Sequence, residues 1–176
     1  MKRGEKGFTL IELIIATTII VLVAGAAGMA IFQVLPGTER NNNYMTAVRQ
    51  VQNAGYWISR DTQMAESVIT ENLTPPAFLL FNWTEWDDPD NPVYHTATYS
   101  FEDMTDGIGK LKRWHWSSSG INRQTLIADH IYYAPADPDD TSQASYQSQV
   151  LTVQLTALCK ETLESREYKI NHRPNY

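Results

Sequence analysis

The sequence is short of most features that announce a chemistry. One cysteine in 176 residues excludes an internal disulfide, so an exported domain built from this chain must hold together by packing alone. Positive charge is also scarce. Fourteen Lys and Arg stand against twenty Asp and Glu, a net charge of −6, which removes any bulk attraction to nucleic acid or anionic lipid. No internal repeat, phosphate-binding glycine loop, Ser-His-Asp arrangement or paired acid stands in a telling context. His95, His115, His130 and His172 show no metal-ligand spacing and read as strand or surface residues. The signals for an enzyme are absent.

Charge is missing most conspicuously from residues 8–35, where Glu12 is the sole charged side chain and Gln33 the only other strongly polar one. A helix over this stretch is about 42 Å long at 1.5 Å per residue, more than the roughly 30 Å hydrocarbon core of a bilayer. Residues 1–7 form a basic leader with Lys2, Arg3 and Lys6. The positive-inside rule places that leader in the cytoplasm and the bulk of the chain on the exported side. A cleaved secretory signal ending near Ala24-Gly25-Ala26-Ala27 and a plain signal anchor are the bland readings. Glu12 argues against both, because an ionisable group in a membrane helix costs about 2.5–3.5 kcal/mol near its centre and less toward an end.

The run Lys6-Gly7-Phe8-Thr9-Leu10-Ile11-Glu12-Leu13-Ile14 resembles the processing motif of type IV prepilins and type II secretion pseudopilins. The resemblance implies cleavage between Gly7 and Phe8 by a membrane-embedded prepilin peptidase, followed by N-methylation of Phe8. Only glycine offers a backbone slim enough for close approach by the protease. Glu12 sits one turn into the mature helix, at the positive end of its dipole. The resemblance further implies that Glu12 pairs with the Phe8 amine of a neighbouring subunit and sets register during assembly.

Beyond the apolar run, Pro36 and Gly37 predict a helix break: a kink, a melted stretch or a plain stop. Helical spacing then resumes through Tyr44, Val48, Val51, Gly55, Ile58, Thr62, Ala65 and Ile69, one face of an amphipathic helix over about residues 38–70. Gly55 and Thr62 mark close approaches on that face, and Pro75-Pro76 end it. Afterwards the period becomes two. Strands are expected over residues 77–83, 93–101, 110–116, 126–133 and 151–160, with 167–172 pairing back on the last. Asp106-Gly107 supplies a hairpin turn. The expected fold is α+β and pilin-like: a long N-terminal helix, half transmembrane and half amphipathic, packed on an antiparallel sheet. The expected domains are residues 1–7 as leader, 8–35 as transmembrane and assembly helix, and 36–176 as exported domain.

Other candidate sites have plainer readings. Cys159 lies on the inward face of its strand and reads as a buried structural thiol. Some pseudopilins bind calcium in C-terminal loops, which raises Asp87-Asp88-Pro89-Asp90-Asn91 and Asp137-Pro138-Asp139-Asp140 as candidates. Neither has the alternating ligands and glycine of an EF-hand, so solvated turns are the favoured reading and no cofactor is expected. Trp83, Trp86, Trp114 and Trp116 with Lys110, Lys112 and Arg113 could form a stacking platform for nucleic acid or sugar. Core and cross-strand packing is the default for such aromatics.

The long β-rich region and the segment Ile58-Ser59-Arg60-Asp61-Thr62-Gln63-Met64-Ala65 are similar to J-type pseudopilins and W-type minor pilins. The resemblance implies a non-enzymatic minor subunit of a type IV pilus or type II secretion pseudopilus, acting in a tip or priming complex. Its partners would be the prepilin peptidase, other pilin subunits, the inner-membrane assembly platform and the membrane, with no intrinsic nucleic-acid binding. Major pilins commonly close their C-terminal region with a disulfide pair, which a single cysteine cannot form. A major fibre subunit and a membrane-anchored exported binding protein remain the alternatives.

Overall fold

The computed structural model describes residues 8–74, 76–88, 90–135 and 140–172. The chain divides into two compact units, Met1–Asn42 and Asn43–Tyr176. One helix, α1 (Leu10–Met64, 55 residues), contributes to both.

In the first unit α1 presents Leu, Ile and Val to its surroundings on every side, and none of its most apolar window is buried within the chain. That is the pattern of a helix solvated by lipid rather than by a protein core. Its hydroxyls are satisfied internally: Thr17 and Thr18 both donate to the Ile14 carbonyl, at 3.0 and 2.8 Å. An apolar medium would offer them no other partner.

Pro36 and Gly37 do not interrupt the helix. α1 continues through both, so neither the melted stretch nor the stop expected there is present. Pro36 still lacks an N–H, which deprives the Phe32 carbonyl of its usual donor, and two residues on the Thr38 hydroxyl donates to the Val34 carbonyl at 3.1 Å. A proline costs a helix interior about 3 kcal/mol. Cooperative propagation from long runs on either side outweighs that local loss.

The second unit is α+β. Of the face expected from the spacing, Val48, Val51, Gly55, Ile58 and Thr62 are buried on α1, joined by Ala47 and Ala54, whereas Tyr44 is exposed and Ile69 lies beyond the helix. The helix ends at Met64 rather than near residue 70. Ala65 N–H still donates to the Asp61 carbonyl at 2.9 Å, but Glu66 N–H turns to the Asn82 carbonyl at 2.8 Å. The next residues, with β-branched Val68 and Ile69, then enter the sheet as β1 (Ser67–Ile69).

The other strands are β2 (Ala77–Glu85), β3 (Val93–Thr105), β4 (Ile108–Ser117), β5 (Asn122–Tyr132), β6 (Gln143–Gln147), β7 (Val150–Cys159) and β8 (Thr162–Asn171). All pairings are antiparallel, in the order β1-β2-β3-β4-β5-β7-β6, with β8 also paired to β7. Asp106 and Gly107, both at positive φ, make the expected β3–β4 hairpin. Ser148 and Gln149, also at positive φ, turn β6 into β7. Neither residue readily takes a positive φ, and β6 was not expected from the sequence.

The sheet's inner face supplies Leu79, Phe81, Tyr99, Leu111, Leu151 and Leu155 to the core under α1. Gly55 is the point of closest approach. Tyr168 of β8 lies where a Cβ at Gly55 would stand, and its hydroxyl donates to the Val51 carbonyl at 3.0 Å. On the far side of the helix face, Gln50 accepts from the Asp129 N–H at 2.8 Å. This occurs where the β4–β5 register slips and His130 takes a positive φ.

Candidate functional site

The start of α1 is built by two residues three apart. Thr9 precedes the first helical residue, and its carbonyl accepts from the Leu13 N–H at 3.3 Å. Its hydroxyl oxygen accepts from the Glu12 N–H at 3.4 Å, while the Glu12 carboxylate accepts from the Thr9 N–H at 2.9 Å. This is a reciprocal capping box, in which two otherwise orphaned backbone donors are satisfied by side chains. The Thr9 hydroxyl hydrogen also reaches Glu12 Oε2, at 2.7 Å. Both bonds to the carboxylate fall on Oε2, so Oε1 can accept a further donor. The glutamate is therefore held at the positive end of the helix dipole, in the turn that follows Phe8, which is 90% exposed.

Residues 2–28 match the family described as a prokaryotic N-terminal methylation motif. The chain carries a type IV pilin-like prepilin leader. The matched segment spans the leader, the capping box and the first part of the apolar helix. Comparison with curated proteins and with solved structures finds no match. The leader and the apolar helix together fit a membrane-anchored protein with an exported domain. Gly7 lies outside the described residues; Phe8 precedes α1, Glu12 lies in its first turn, and Pro36 and Gly37 lie within α1.

The second unit places the remaining candidates. Cys159 is buried, its sulfur 4.0 Å from Asn43 Oδ1. Asp88 Oδ1 accepts from the Asp90 N–H at 3.0 Å, a solvated turn; residues 136–139 lie outside the described residues. Among the described residues no cluster of three His, Cys, Asp or Glu is placed to hold a metal. Strand alternation splits the aromatic-basic group in two. Trp114 and Trp116 are exposed on the outer face, and Lys110 and Lys112 pair there with Asp103 and Glu102 at 2.9 and 2.6 Å. Trp83 and Arg113 point to the other face. His95, His115 and His130 lie in strands, as expected, and His95 and His172 are buried.

Arg113 meets Asp61 of α1 inside the core. Its Nε and second guanidinium nitrogen donate to the two carboxylate oxygens at 2.6 and 3.0 Å, and the Tyr99 hydroxyl donates to Oδ2 at 2.6 Å. Burial, then the neighbouring Asp61 charge, pushes the Tyr99 hydroxyl well above its usual pKa. Beside this network, α1 and strands β2 to β5 enclose a cleft of about 620 Å³. Within it Trp83 stacks over His95 and His115 with ring centroids 5.0 and 5.4 Å away. His95 Nε2 lies 3.1 Å from Glu85 Oε2, and His95 Nδ1 lies 3.1 Å from His115 Nε2. A carboxylate only accepts, so neutral His95 donates through Nε2 to Glu85, and its Nδ1 accepts a hydrogen bond from the His115 Nε2–H. His115 Nδ1 is then left as an acceptor. Burial and the positive charge of Arg113 depress the His115 pKa.

Sequence reasoning missed both groupings. The phase of each element carried a signal: Asp61 falls among the inward positions of α1, and Arg113 follows Leu111 by two. Thr9-Leu10-Ile11-Glu12 is also a legible capping-box signature.

Proposed function

We propose that this chain is a non-enzymatic minor pilin or pseudopilin subunit, assembled into a type IV pilus or type II secretion pseudopilus within a tip or priming complex. Prepilin peptidase cuts between Gly7 and Phe8 and N-methylates Phe8. The observation that carries the reading is the Thr9–Glu12 capping box at the start of an apolar helix. It secures the helix up to its first turn and holds a carboxylate beside the new terminus. Glu12 Oε1 then accepts the methylated Phe8 amine of a neighbouring subunit, which sets the axial register as the helix leaves the membrane for the fibre core. An ionised group fixing register in an apolar assembly is an attested use of a buried charge.

The accessory role rests on the lone Cys159, which removes the C-terminal disulfide common among major pilins, and on the likeness to J-type and W-type subunits. Co-expression with a prepilin peptidase, followed by mass spectrometry of the N-terminus, tests the processing step. An N-methylated Phe8 is expected; a chain beginning near Ala27, or one retaining Met1, overturns it. Cross-linking to co-expressed minor pilins tests the assembly step.

A further inference from the structure

We propose that the cleft between the end of α1 and strands β2–β5 is a binding site for a carboxylated sugar, a uronic acid unit of an extracellular glycan. It goes beyond the assembly role and does not depend on it. The cleft is where the inner face of the sheet stops being core. One row of that face carries Phe81 and Ala97, both fully buried, and ends in His115 and Arg123, which are paired across β4 and β5. The next carries Trp83 opposite His95. The same face thus changes from aliphatic packing to rings and charges, and those groups line an open volume of about 620 Å³, within the range of small-ligand pockets.

Three complements of one ligand are present. The first is cationic. Arg60 and Arg123 are both exposed, and among the described residues neither forms an ion pair; Arg60 lies over the Trp57 ring at 5.4 Å. Arg113, by contrast, is consumed by Asp61. An unpaired guanidinium fork matches a carboxylate. The second is an aromatic face. Trp83 is half-buried and held flat by the hydrogen-bonded histidine pair beneath it, so it offers a rigid apolar plane to a sugar's C–H face. The third is a set of acceptors for hydroxyl groups: His115 Nδ1 and the second oxygen of Glu85, whose Oε2 holds His95.

This mixture selects among ligand classes. A neutral sugar would leave the two guanidiniums unused. Hydrolysis is not implied, because Glu85 is the only carboxylate among the described lining residues and glycoside cleavage ordinarily needs two.

The test uses the full-length chain in detergent micelles, with tryptophan fluorescence as readout, since Trp57 and Trp83 both line the cleft. Trigalacturonic acid should give a saturable change, and maltotriose at the same concentration should give none. Arg60→Gln and Arg123→Gln, both at exposed positions, should each weaken trigalacturonate binding about tenfold, the loss of one charge-assisted contact, with an unchanged melting temperature. No saturation by trigalacturonate, equal binding of maltotriose, indifference to both substitutions, or preferential binding of an oligothymidylate would each overturn the proposal. Prepilin processing is unaffected by either substitution, so failure here is separable from failure of the assembly reading.

Discussion

Asp61 of α1 and Arg113 of β4 form a two-point ion pair with no water access to the carboxylate, Asp61 being 0% exposed. The pair joins the helix to the middle of the sheet. Removing either partner leaves an uncompensated buried charge. Arg113→Met should therefore destabilise the second unit by about 3–5 kcal/mol, whereas replacing both partners with apolar residues should cost much less. Urea unfolding of the single and double variants checks the non-additivity.

Tyr99 donates to the same carboxylate, and its raised pKa has a definite sign. In the unfolded chain a tyrosine ionises near pH 10, while folded Tyr99 keeps its proton. Above about pH 10 the folded state then binds more protons, and stability falls as pH rises. Phenolate absorbance should show Tyr99 ionising only with unfolding; in Tyr99→Phe that late step should vanish.

His115 works in the opposite direction. Its pKa is lowered, first by burial and then by Arg113, His95 and Arg60, with Asp61 opposing. Glu85 faces the same cleft through its bond to His95. The unfolded state gains a proton near the usual value of about 6.5 before the folded state does, so stability is full above that pH and declines below it. The melting temperature should drop between about pH 6.5 and 5, ahead of the carboxylate range. His115→Gln should flatten that part of the curve.

Glu12 combines a cap and a charge, and two substitutions separate them. Glu12→Gln keeps an acceptor for the Thr9 N–H but removes the negative charge, while Glu12→Ala removes both. A lost capping interaction costs about 0.5–2 kcal/mol. Peptidase cleavage should survive in both variants. Recovery of cross-linked complexes with partner pilins should fall sharply in both if charge sets the register; retention in Glu12→Gln would assign the role to the cap alone.

Gly55 is packed flat against Tyr168. Alanine is the better helix former by about 1 kcal/mol, yet its methyl would have to displace the ring. Gly55→Ala should destabilise by about 1–3 kcal/mol, and Tyr168→Ala in the same chain should relieve the clash. Thermal melts of the single and double variants decide between propensity and packing.

Legibility in the sequence followed the range of the interaction. Val48, Val51, Ile58 and Thr62 declared their common face because helical period places them there whatever they meet, and Asp106-Gly107 declared its hairpin through its own backbone preferences. The β6–β7 turn at Ser148 and Gln149 stayed hidden, since those residues adopt positive φ only because the paired strands require it. Pro36 was misleading for a related reason: a single unfavourable residue signals a break, but its cost is set against a helix propagating from both sides.

The sequence by itself determined the N-terminal apparatus. Leader motif, Thr9–Glu12 cap and apolar helix all depend on neighbours within a turn or on the surrounding medium, so adjacency and composition suffice. Tertiary structure alone decided the interior of the second unit. Asp61 and Arg113 are 52 positions apart, and Trp83, His95, His115 and Arg123 come from four strands. Only strand register and the seating of residues 43–64 on the sheet bring such groups together into a buried ion pair, a hydrogen-bonded histidine pair and a cleft.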